Sequence, residues 1–177
     1  MLAGVAGCAV LGFFPLILGD RVPLLGLVDL GFHELGHLLT YPFPDLFTAI
    51  MGSGTQLLVP LGLAAYFLWL RKDRVAAGLC TAWAGTSAYD VSVYVADAPY
   101  EKLQLLGEGA EHDWAFVFDR LNAMETADEV ALVLRALAWG LVLGGMALCA
   151  WRLVAPERRP HTERLPGVTV KPISWDA

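Results

Sequence analysis

His33 and His37 stand four residues apart in the run His33-Glu34-Leu35-Gly36-His37, with a glutamate directly after the first histidine. On a helix, positions i and i+4 share a face. Both imidazoles can then aim a ring nitrogen at one metal ion, while Glu34, displaced around the helix, reaches a water bound to it. Zinc suits such a site: it lowers the pKa of its water to about 7, and the carboxylate takes the proton as hydroxide attacks a carbonyl. The competing reading is a chance pattern whose histidines hydrogen-bond inside a helix bundle. Against it stands the setting, because imidazoles and a carboxylate in a strongly apolar segment are costly unless they have partners or a task.

A catalytic zinc usually takes three protein ligands and keeps a position for water. His112, in Glu111-His112-Asp113-Trp114, is the first choice for the third ligand, with a solvated loop histidine as its alternative. A rival is Asp90, within a polar stripe of Trp83, Ser87, Asp90, Tyr94 and Asp97 at helical spacing, which should face a bundle interior. Asp97 ranks behind it, and Asp113 is a further possible ligand or orienter. Asp29, one turn before His33, is placed to accept the free ring N–H of a ligating histidine or to be a simple interfacial charge. Gln56 and Ser53 could hydrogen-bond a substrate backbone or oxyanion, or merely link helices.

The elements that must position these residues read as membrane helices. The 177 residues are 56% hydrophobic and only 17% charged, with a mean hydropathy of +0.55, too apolar for an ordinary soluble domain. The expected fold is all-α: a polytopic transmembrane bundle over residues 1–154 with about five spans, near 2–19, 22–40, 46–70, 75–96 and 130–154. The first is read as a retained helix and not a cleaved signal. Pro42 and Pro44 end the second span. Gly52-Ser53-Gly54 marks a candidate re-entrant break in the third. Residues 155–177, rich in proline and charge, read as a disordered cytoplasmic tail in which His161 is solvated. Cys8, Cys80 and Cys149 lack CxxC spacing and read as small buried hydrophobes. A net charge of -6, without a basic patch, gives no support to nucleic-acid binding.

Arg71, Lys72 and Arg74, and the basic residues that follow 151, should be cytoplasmic. The loop 98–128, with Lys102 and Arg120 against seven acidic residues, should then be extracytoplasmic, together with the amino terminus. Within it Trp114, Val117, Phe118, Leu121 and Met124 recur at helical spacing, forming a short amphipathic helix on the membrane surface or capping the bundle. Arg135, inside the last span, should snorkel outward or pair with an aspartate.

With HELGH at 33–37, GSGTQLLVPL at 52–61, VSVYVADA at 91–98 and EHDW at 111–114, the chain resembles membrane-embedded zinc metallopeptidases of the site-2-protease type, in particular their small bacterial relatives. The resemblance implies a multi-pass protein of the bacterial inner membrane. It makes His33 and His37 zinc ligands and Glu34 the general base, in cleavage of a peptide bond of a membrane protein or peptide within or near the lipid bilayer. The LDG-type aspartate motif that supplies the third ligand in such enzymes is missing here, and there is no room for a PDZ domain. A zinc-dependent hydrolase of a lipid or small amide or ester, and a non-catalytic membrane protein, are the alternatives.

Overall fold

The computed structural model describes residues 1–105 and 111–154, so the tail 155–177 and His161 lie outside the described residues. All regular structure among those residues is helical: α1 (Leu2–Phe13, continued by a π-helical stretch, Phe14–Leu18), α2 (Leu25–Thr40), α3 (Asp45–Ala65, continued by Tyr66–Leu70), α4 (Arg74–Asp97), α5 (Asp113–Leu121) and α6 (Ala127–Val154). Two helices, Asp45–Leu70 and Met124–Trp151, are long and apolar enough to cross a membrane; Leu2–Leu18 is apolar but shorter. The sequence reading of about five spans counted every apolar run. Yet α2, at 16 residues, is only about 24 Å long, and α4 carries the polar stripe.

α4 is the central helix. Its small residues Ala77, Gly78, Ala82, Ala84, Gly85 and Ala88 are buried, which lets neighbouring backbones approach closely. α6 lies antiparallel on it, with Gly78 against Cys149 and Gly85 against Val142. Asp73 caps the start of α4 by accepting from the N–H groups of Val75 and Ala76, both at 3.0 Å. α5 covers the far end, where Ala115 and Phe118 join Val91, Val95, Ala98, Ala127 and Ala131 in one apolar cluster. The amphipathic loop helix therefore caps the bundle, although Leu121, expected on its apolar face, is exposed. Arg135 is exposed on α6.

The path of the amino-terminal part differs from expectation. Gly4 packs against Val75 and Cys149, and Gly7 against Leu79, so α1 starts at the end that carries residues 71–74 and runs parallel to α4. Met1 lines one crevice with Lys72, Asp73 and Arg74. α2 is also parallel to α4, since Asp29 meets Trp83 and Ser87 while the His33 ring lies 5.8 Å from that of Tyr94. The amino terminus thus shares an end with residues 71–74 and does not oppose them. The turn after α1, where Gly19 adopts φ +76° beside the Tyr89 hydroxyl, sits part-way along the bundle.

α2 and α3 form a tight antiparallel hairpin. Thr40 donates to the Gly36 carbonyl at 2.7 Å within α2, and Thr48 donates to the Thr40 carbonyl at 2.8 Å, tying the start of α3 to the end of α2. α3 runs unbroken through Gly52-Ser53-Gly54. The glycines there serve close approach: a Cβ on Gly52 would stand 2.5 Å from His37 Nε2 and 2.8 Å from His33 Cε1.

Candidate metal centre

His33 and His37 lie on the face of α2 turned toward α3 and the start of α5, with their Nε2 atoms 3.1 Å apart. The third group is Asp113, the first residue of α5, whose Oδ2 lies 3.0 Å from His33 Nε2 and 3.2 Å from His37 Nε2. One ligand atom from each residue makes a nearly equilateral triangle. Two bonds of about 2.0–2.1 Å at a tetrahedral angle put their donor atoms about 3.3 Å apart, so a zinc-sized ion fits above its face with small adjustments.

The surrounding contacts favour the same use. His37 Nδ1 lies 2.9 Å from the Thr48 carbonyl, to which it donates. In the neutral ring this leaves the lone pair on Nε2, the arrangement that metal-ligating histidines adopt. Nε2 then faces another acceptor, Asp113 Oδ2, so a proton or a metal ion must sit between them. Tyr94 holds Asp113 in place: its hydroxyl accepts from the Asp113 N–H at 3.1 Å and lies 3.3 Å from Oδ2. Burial pushes the Asp113 carboxyl upward, but hydrogen bonds to His33 and His37 outweigh it and bring the pKa down to about 2. Asp113 is therefore an anion at neutral pH, as ligation requires.

The sequence reading favoured His112, and the structure brings its neighbour to the histidine pair instead. His112 precedes α5 with extended backbone and caps it, Nδ1 accepting from the Ala115 N–H at 3.2 Å. Its side chain is turned away from the cluster, with Nε2 3.5 Å from Asp97 Oδ2. Burial lowers the pKa of this imidazole, opposed by the carboxylates of Asp97, Glu101 and Asp113. Stacking on Tyr94, at 4.2 Å between ring centroids, completes its seat. Asp97 accepts from the Leu103 N–H at 2.9 Å and so tethers the loop.

Asp29 also takes a different partner from the one expected. Only 1% exposed, it accepts from Trp83 Nε1 at 2.7 Å and Ser87 Oγ at 3.0 Å, joining α2 to α4 below the histidines. The ring-orienting role expected of it falls to the Thr48 carbonyl. Ser53 accepts from Trp114 Nε1 at 3.0 Å and thereby docks α5 on α3. Sequence reasoning missed Thr48, Gly52 and Tyr94 as parts of the site. The glycine carried a signal, because small residues mark close helix contact as readily as a break, and so did Tyr94, through the polar stripe that faces the bundle interior; Thr48 carried none.

Glu34 is exposed on α2 and lines a cavity of about 260 Å³ together with His33, His37 and Asp113. Asp90 and Gln56 line its wall. A carboxylate with no hydrogen-bond partner among the described residues, a cluster able to hold a divalent cation and room for part of a substrate meet in one place. No protein-family model, curated protein or solved structure matches the chain.

Proposed function

We propose that the protein is a membrane-embedded, zinc-dependent endopeptidase in which His33, His37 and Asp113 hold the metal and Glu34 is the general base. The observation that carries this reading is the triangle of ligand atoms with sides of 3.0, 3.1 and 3.2 Å in a cavity that the exposed Glu34 also lines. When bound, zinc supplies a Lewis acid for the substrate carbonyl and lowers the pKa of water. Glu34 takes the proton as water attacks the scissile carbonyl and returns it to the leaving amine. Tyr94 and the Thr48 carbonyl keep Asp113 and His37 in register, and α5 closes the site from above.

The membrane assignment is supported by the two long apolar helices and by exposed Leu38, Leu39, Leu58, Leu132, Val133 and Leu143. Exposed Trp69 and Trp151 ring one end and Tyr41 and Tyr100 the other, as interfacial belts do. Because α1 and α2 run in the same direction, we assign four crossings: α1 and α2 together as one discontinuous crossing, then α3, α4 and α6. The positive charges of Arg71, Lys72 and Arg74 support a cytoplasmic position for their end, with Met1, and hence the opposite half of the bundle for the metal centre. The bounded volume of the cavity also favours a second reading, hydrolysis of a small amide or ester. Purified protein incubated with a membrane-peptide library separates them. Release of peptide fragments by wild type, abolished in Glu34→Gln with zinc retained, supports the endopeptidase; fragment release that survives Glu34→Gln refutes it.

A further inference from the structure

Asp90 is the carboxylate that the metal centre leaves unused. It sits on α4 only 8% exposed, yet no hydrogen bond or ion pair to a described residue satisfies it, and its side chain borders the cavity beside the histidines. Gln56 on α3 is in the same position: 7% exposed, without a hydrogen-bond partner among the described residues, and lining the same cavity. Buried polar groups are ordinarily satisfied within the protein. Asp90 and Gln56, on helices flanking one cavity, instead open their polar atoms to that cavity, where an entering ligand can satisfy them.

Charge selects the ligand. Glu34, Asp90, Glu111 and Asp113 contribute carboxylates to the cavity against one guanidinium, that of Arg21, and no salt bridge joins Arg21 to Asp90. With all four carboxylates ionised, Arg21 and a divalent ion at the histidines leave one net negative charge, and a cationic group beside Asp90 favours its ionised form, so the cavity draws cations and repels acidic groups. We propose that Asp90 and Gln56 form a substrate subsite for a protonated amine or a guanidinium next to the scissile bond, Asp90 supplying the counter-charge and Gln56 a neutral hydrogen bond. The subsite rests on the zinc-peptidase reading and gives that reading a substrate class: peptides with a basic side chain, or a free amino terminus, at the cleavage point.

Hydroxamates, which anchor on zinc through their own donor atoms, test the subsite without turnover. Affinities are measured on zinc-loaded, detergent-purified protein for acetohydroxamate and for the hydroxamates of N-acetyl-leucine, N-acetyl-lysine, N-acetyl-aspartate and unblocked leucine. The expected result is that N-acetyl-lysine or unblocked leucine hydroxamate binds about tenfold tighter than the N-acetyl-leucine compound, the tenfold being one charge pair, with the aspartate compound weakest. Which of the two cations gains tells side chain from amino terminus. Asp90→Asn should bring the ratio to about one while zinc content and acetohydroxamate affinity stay unchanged. Equal binding of cationic and neutral compounds, preference for the aspartate compound, or a preference that survives Asp90→Asn would overturn the subsite while leaving the zinc centre intact. Loss of acetohydroxamate binding in wild type would overturn both. If Asp90→Asn does not fold, the ranking in wild-type protein decides alone.

Discussion

His37 donates through Nδ1 to the carbonyl of Thr48 across 2.9 Å, and this bond turns its other nitrogen toward His33 and Asp113. It joins α2 to α3 across their tight hairpin, so the rigidity of the hairpin is passed to the ligand. Gly52, one turn further along α3, makes the approach possible.

Gly52→Ala places a methyl group where the two imidazoles meet, 2.5 Å from His37 Nε2. One ring must swing away. Zinc affinity should fall by at least about 100-fold, the upper range for disturbed ligand orientation, while helix content by circular dichroism stays at the wild-type level. Competition titration against a chromophoric chelator reads the change; unaltered affinity would mean that the rings are not held as described.

Tyr94→Phe removes the hydroxyl that accepts from the Asp113 N–H and approaches its carboxylate. The expected loss in zinc affinity is about tenfold, the size of a lost orienting bond, with the stoichiometry kept at one. A loss of all binding would promote the hydroxyl to something more than a support.

The Asp113 carboxylate has a pKa lowered from 3.8 to about 2. Because the folded value is the depressed one, its contribution to docking α5 is complete above pH about 4 and is lost as pH falls toward 2. In metal-free protein, fluorescence of Trp114, which reports the seat of α5 on Ser53, should stay constant from pH 6 to 4 and change between 4 and 2. Asp113→Asn should abolish that transition.

Accessibility of single engineered cysteines in sealed vesicles reads the path of the chain. A cysteine at position 1 and one at 72 should be labelled from the same side, and one at 104 from the other. Labelling of positions 1 and 72 from opposite sides would restore the alternating topology expected from hydropathy.

Much of the site was legible, and the reasons are local. His33, Glu34 and His37 follow from helical period alone, whatever the rest of the chain does. Asp113 and His112 are neighbours, and the choice between them depends on where α5 begins: the residue before the helix spends its side chain on capping, and the next points into the site. That single-residue boundary lies within the uncertainty of any helix start read from sequence. The direction of the two amino-terminal helices was not legible, for a different reason. Hydropathy counts apolar runs but carries no information on whether successive runs reverse direction, and α1 and α2 do not. Asp90 was recognised as an interior carboxylate, since a polar stripe in an apolar helix faces its neighbours. Asp29 was read as a ring orienter or an interfacial charge, and its actual partners on α4 depend on which helices touch, a long-range property.

Zinc content per chain of purified Asp113→Asn and His112→Ala, measured by elemental analysis beside wild type, His33→Ala and Glu34→Gln, tests the central claim most directly. About one zinc is expected in wild type, Glu34→Gln and His112→Ala, with His112→Ala destabilised by about 1 kcal/mol for the lost cap, and little or none in His33→Ala and Asp113→Asn. Zinc kept by Asp113→Asn and lost from His112→Ala, or absent from wild type after reconstitution, would contradict the metal centre described here.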